Sequence, residues 1–67
     1  MNELDKLRAE GLSVAVHNDY RQGGRLFTFW LMTAEIRGQL FAFKGEGETD
    51  AIALAQIRKQ WEAGVAA

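Results

Sequence analysis

The chain has no cysteine, a single histidine and a single serine, and no excess of basic residues. The absence of cysteine removes disulfides and thiolate metal sites together. His17 alone holds no metal without carboxylate help. It stands two residues from Asp19, a pairing that orients an imidazole in some general bases. Ser13 lies four residues away on the same strand candidate, but no third group completes a triad. His17 therefore reads as a surface histidine at a strand end, and neither catalysis nor a cofactor is expected. A net charge of −1 offers little to a phosphate backbone, so nucleic acid is not an expected partner. No stretch approaches the roughly 20 apolar residues that a membrane-spanning helix needs. The polar amino end, MNELDKLRAE, lacks the apolar run of a signal peptide, which makes cytoplasm the expected compartment.

What remains is an ordinary globular composition, 48% apolar and 25% charged, in 67 residues. That length predicts one domain, residues 1–67, with a thin core. A domain of this size buries only about 60% of the surface its unfolded chain exposes. Small chains commonly add disulfides, metals or oligomerisation. With the first two gone, association with a partner or a second copy is the staple left open.

Along the chain, Asn2 is a candidate cap for a short helix from Glu3 to Glu10, with Leu4 and Leu7 on one face and Gly11 as its stop. Leu12 to Asn18 alternates, with Leu12, Val14 and Val16 on one side and Ser13, Ala15 and His17 on the other, which predicts a half-buried strand. Residues 18–24 read as a polar loop ending in two glycines. Arg25 to Ile36 is the longest strand candidate, Arg37-Gly38 the turn, and Gln39 to Lys44 the returning strand. Gly45-Glu46-Gly47-Glu48 breaks that strand. Thr49 then caps a helix from Asp50 to about Glu62, with Leu54, Ile57, Trp61 and Val65 on one face and Gly64 at the end. The expected fold is α+β, in the order α-β-β-β-α: a three-stranded antiparallel sheet with both helices packed on one face.

Side chains alternate along a strand, so every strand contributes to two faces. Leu26, Trp30, Met32, Ala34 and Ile36 point one way; Phe27, Phe29, Leu31, Thr33 and Glu35 point the other. A one-residue slip in register exchanges the two sets. Leu26, Trp30, Met32 and Ile36 are expected inward with Phe41 and Phe43, because with the Arg37-Gly38 turn this choice sends Glu35 and Lys44 outward to water. The outer face then carries Phe27, Phe29, Leu31 and Leu40, edged by His17, Thr33, Glu35 and Lys44. Four such side chains are worth roughly 6–12 kcal/mol if buried, at about 1.5–3 kcal/mol each. That is comparable with the whole stability of a small domain, so the face predicts an interface with a protein partner or a homodimer partner. A separate acidic patch is expected at Glu46, Glu48 and Asp50. Its glycines suggest a phosphate cradle, but three carboxylates would repel phosphate and no P-loop lysine follows.

The element order, with Gly45-x-Gly47-x-Thr49 before the second helix and Ala53 inside it, resembles the double-stranded-RNA-binding domain. The resemblance covers the whole chain in order of elements and a few residues in motif. In that family the second helix opens with lysines that hold phosphates. The corresponding positions here are Asp50, Ala51 and Leu54, so the resemblance implies the fold and not the RNA binding. In size and lack of catalytic groups the chain is also similar in type to phage-encoded inhibitors such as anti-CRISPR proteins. The reading from the residues is a non-catalytic protein-interaction module. The alternative is a single-stranded nucleic-acid binder that stacks bases on Phe27 and Phe29, with Arg25, Arg37 and Lys44 at the phosphates.

Overall fold

The structure, a computed structural model, describes residues 2–66, with side chains described for residues 2–64. The Asn2 side-chain oxygen accepts a hydrogen bond from the Asp5 backbone N–H at 2.8 Å and opens α1 (Glu3–Ala9). Three strands follow: β1 (Ser13–Gln22), β2 (Arg25–Ile36) and β3 (Gln39–Gly47), antiparallel in the order β1-β2-β3. The Thr49 hydroxyl accepts from the Ile52 N–H at 3.2 Å and opens α2 (Asp50–Ala66). The fold is the expected α-β-β-β-α arrangement. Among the described residues, no helix is long and apolar enough to cross a membrane.

Both hairpins turn on two residues with positive φ, Gly23-Gly24 and Arg37-Gly38. Turns of that hand match the twist of the strands they join. The expected 18–24 loop therefore shrinks to two glycines. Asn18 to Gln22 join β1 because each pairs with a residue of β2, from Phe29 back to Arg25. The weak strand propensity of Asn18 and Asp19 yields to that cross-strand pairing. In the same way β3 continues past Lys44 to Gly47, opposite Thr28. The second helix runs on through Gly64, and α1 stops one residue early at Ala9. The place expected for Val65 on the helix face lies outside the described side chains.

One cluster forms the core: Leu7 and Leu12 with Trp30, Met32, Ala34 and Phe43 from the sheet, and Ala53, Leu54 and Ile57 from α2. Trp30, Met32 and Ala34 point at the helices, so the strand faces are those that send Glu35 and Lys44 out to water. Leu26 and Phe41 share the helix-side parity but stay exposed, at 51% and 41%. The cause is length. Twelve residues of β2 span roughly 40 Å, whereas the 17 of α2 span about 25 Å, so the sheet runs beyond its cover.

The first strand departs from simple alternation. Val14 pairs with Met32 and Val16 with the next residue, Leu31, leaving Ala15 as an extra residue in a β-bulge. Past the bulge the faces are exchanged. Val16 moves to the outer face, and His17 moves to the helix side opposite Trp30.

Candidate functional site

The sheet face turned away from the helices is the candidate site. Register places Val16 beside Leu31, Tyr20 beside Phe27, Asn18 beside Phe29, and Leu40 beside Glu35. Neither helix covers this side, since both contribute to the single core on the other. Phe27, Phe29 and Leu31 form its spine and are half-buried by their neighbours in the sheet. Val16 is 40% exposed and Leu40 73%. Glu35, Lys44 and Glu46 frame the spine along β2 and β3.

Part of the shielding comes from Tyr20. Its ring stacks on Phe27, with centroids 5.6 Å apart. Its hydroxyl reaches across β2 and donates a 2.7 Å hydrogen bond to Glu46. That carboxylate raises the Tyr20 pKa above its ordinary value, chiefly through the hydrogen bond. Tyr20 lies within the segment that composition assigns to a loop, so alternation does not find it. Val16 sits on the opposite side of β1 from the one alternation predicts, because a bulge at alanine leaves no mark in composition.

His17 is expected at the edge of this face, and the structure places it on the other side. Its ring lies parallel to the Trp30 ring with centroids 3.7 Å apart. Its Nε2 is 3.2 Å from the Thr28 hydroxyl oxygen and 3.9 Å from a carboxylate oxygen of both Asp19 and Asp50. The Trp30 indole N–H donates to Asp50 at 3.0 Å. His17 therefore caps the exposed end of the core and satisfies the buried Thr28. Among the described residues, no group of three or more His, Asp or Glu side chains is placed to hold a metal.

The three acidic residues grouped by sequence do not share a face. Glu46 takes the Tyr20 hydroxyl on the outer side, Glu48 pairs with Arg25 at 3.1 Å, and Asp50 takes Trp30 on the helix side. Each is occupied by a different partner because the strand alternates direction and then turns into α2.

Fold and site together define a small open-sheet α+β domain in which, among the described residues, one apolar sheet face has no second layer. The element order agrees with that of the double-stranded-RNA-binding module. No protein-family model, no curated protein and no solved structure matches the chain.

Proposed function

We propose that the protein is a non-catalytic protein-interaction module whose outer sheet face docks on an apolar patch of a foreign protein. The observation that carries this reading is the uncovered spine of Phe27, Phe29 and Leu31, flanked by exposed Val16 and Leu40. A flat apolar centre framed by charged residues is the anatomy of a protein interface. Phe29 is central, between Asn18 and Glu46, and is the anchor of the site.

The frame also supports protein over nucleic acid. Glu46 stands directly opposite Phe29, and Arg25 is held by Glu48. A base stacked on Phe29 would bring its phosphates beside a carboxylate and find one nearby cation already paired.

The test is affinity capture with the wild type and with Phe29→Asp, followed by direct titration of the purified captured protein. Phe29→Asp should weaken binding about 30-fold or more, the loss of a central anchor worth roughly 2 kcal/mol or more, and leave the circular dichroism spectrum unchanged. Affinity should barely change with salt. Capture that ignores the substitution in a folded variant overturns the reading. So does tight binding of a labelled single-stranded oligonucleotide that falls steeply as salt rises.

A further inference from the structure

A three-stranded sheet has two edges, and this molecule treats them differently. On β1 the edge carries the Ala15 bulge and a polar run, His17-Asn18-Asp19 with Arg21 and Gln22, both of which discourage pairing with another strand. On β3 the C-terminal half is closed by side chains from α2. The Glu46 N–H donates to the Gln56 side-chain oxygen at 3.2 Å, and the Gln56 amide donates back to the Glu46 carbonyl at 2.9 Å. Gln60 donates to the Lys44 carbonyl at 2.7 Å. Gln56 and Gln60 thus stand in for a neighbouring strand.

Those bonds also fix which residues of β3 turn their backbone groups away from β2. They are Glu46 and Lys44, and by the alternation of an antiparallel ladder they include Ala42 and Leu40. Among the described residues, nothing bonds the N–H or C=O of Ala42 or Leu40 on that side. The stretch Gln39-Leu40-Phe41-Ala42-Phe43 has no charge, no proline and no bulge. Beside it Leu40 is exposed on the outer face and Phe41 on the helix side, so both faces of the open edge are apolar.

We infer that β3 pairs with β3 of a second copy, antiparallel about a two-fold axis, to form a six-stranded sheet. The occupant follows from the length and character of the free stretch. It ends at Lys44, whose carbonyl Gln60 already holds, so a long foreign strand would collide with the occupied half. A two-fold pairing uses only Gln39–Phe43 from each copy and carries each occupied half past the other's hairpin turn. Identical uncharged segments do not repel. The register that uses the free groups of both copies sets Phe41 against Phe41 of the second copy, and Leu40 against Ala42 of the second copy. A closed, self-complementary contact of this kind stops at the dimer. This inference does not rest on the proposed partner, and it joins the two outer faces into one surface.

The absence of cysteine gives a direct test, because one introduced cysteine can form a disulfide only between copies. Phe41→Cys should give a disulfide-linked dimer under mild oxidation, since that position faces itself across a non-hydrogen-bonded pair. Phe29→Cys, on the outer face, should not. Light scattering coupled to size exclusion should show the 7.5 kDa wild type reaching twice its mass as concentration rises. Ala42→Pro removes an N–H that serves only the open edge and should abolish the dimer while the fold persists. If Ala42→Pro fails to fold, Leu40→Lys, at a largely exposed position, should abolish the dimer in its place by setting a charge at the edge. A wild type that stays monomeric overturns the inference, as does a dimer that survives these edge variants or is linked through position 29 instead of 41. Loss of partner capture by Phe29→Asp is a separate readout, so failure of the edge pairing and failure of the face reading are distinguishable.

Discussion

Tyr20 joins two strands that are not neighbours in the sheet. Its ring rests on Phe27 and its hydroxyl donates to Glu46 on the far side of β2. The phenol, ordinarily titrating at 10.0, titrates higher because ionisation would break that bond and set two negative charges together. A raised folded pKa means that the contribution is complete below the unfolded value and is lost as pH rises through the folded one. Stability should therefore fall on the alkaline side above pH 10. Glu46→Ala, which removes the acceptor, should return the Tyr20 titration toward 10.0, followed by phenolate absorbance. With one tyrosine in the chain the signal has a single source, and an unchanged curve would mean that the hydrogen bond is absent in solution. Arg37 is a second residue whose backbone matters more than its charge. It holds φ at 52° in the β2–β3 turn, a region costly for a side chain with a β-carbon. Arg37→Gly should stabilise the protein by about 0.5–1 kcal/mol in urea unfolding, and a loss of stability would show that the arginine side chain contributes more than its strain costs.

Among the elements, α2 is seated against β3 through the absence of side chains. A β-carbon at Gly45 would overlap the Ala53 carbonyl oxygen, and Ala53 itself is wholly buried. Gly45→Ala should destabilise by roughly 1–3 kcal/mol, the range for overpacking, seen as an earlier midpoint in denaturant. The Gly45 and Ala53 that carry the resemblance thus mark close approach of helix and strand, which needs no nucleic acid to explain it.

The short helix α1 is held differently. Arg58 of α2 donates to Glu3 at 2.6 Å and to Glu10 at 2.8 Å, and Trp61 donates to Glu10 at 3.1 Å. The Arg58 hydrogen bond, with Trp61 second, holds the Glu10 carboxyl below its ordinary 4.5. A depressed folded pKa contributes stability above the unfolded value and loses it as pH falls through the folded one. Glu10→Gln should therefore weaken the fold at neutral pH and flatten its stability–pH profile below about 4.5. An unchanged acid limb would assign that limb to other carboxylates.

These two contacts also show what sequence could reveal. Helix caps at Asn2 and Thr49, the Arg37-Gly38 turn and the alternation within β2 are local features, written within a few residues. The Arg58 clamp joins residues 55 apart, the Gln56 and Gln60 closure of β3 needs the helix already docked, and the Ala15 bulge depends on how β1 meets β2. None of the three leaves a local trace, which is why alternation alone puts His17 and Val16 on the wrong faces.

At the scale of the molecule, the sheet is longer than its cover. The principal extents are 42 × 24 × 18 Å and the radius of gyration is 12.3 Å, against about 11 Å for a compact chain of this length. An elongated, thinly covered sheet leaves much of its stability to edges and the second face, so edge control becomes a property of the whole protein. The bulge in β1 is the test of that idea. Deleting Ala15 makes Val14 and Val16 consecutive opposite Met32 and Leu31, so every side chain keeps its face while the edge straightens. The molecule would then have two pairing edges, and a contact that closes at two copies through β3 alone would extend through β1. Light scattering of the deletion variant should show a mass that climbs past the dimer as concentration rises, with secondary structure unchanged. A mass that stays at the dimer would mean that the polar run from His17 to Gln22 protects β1 without help from the bulge.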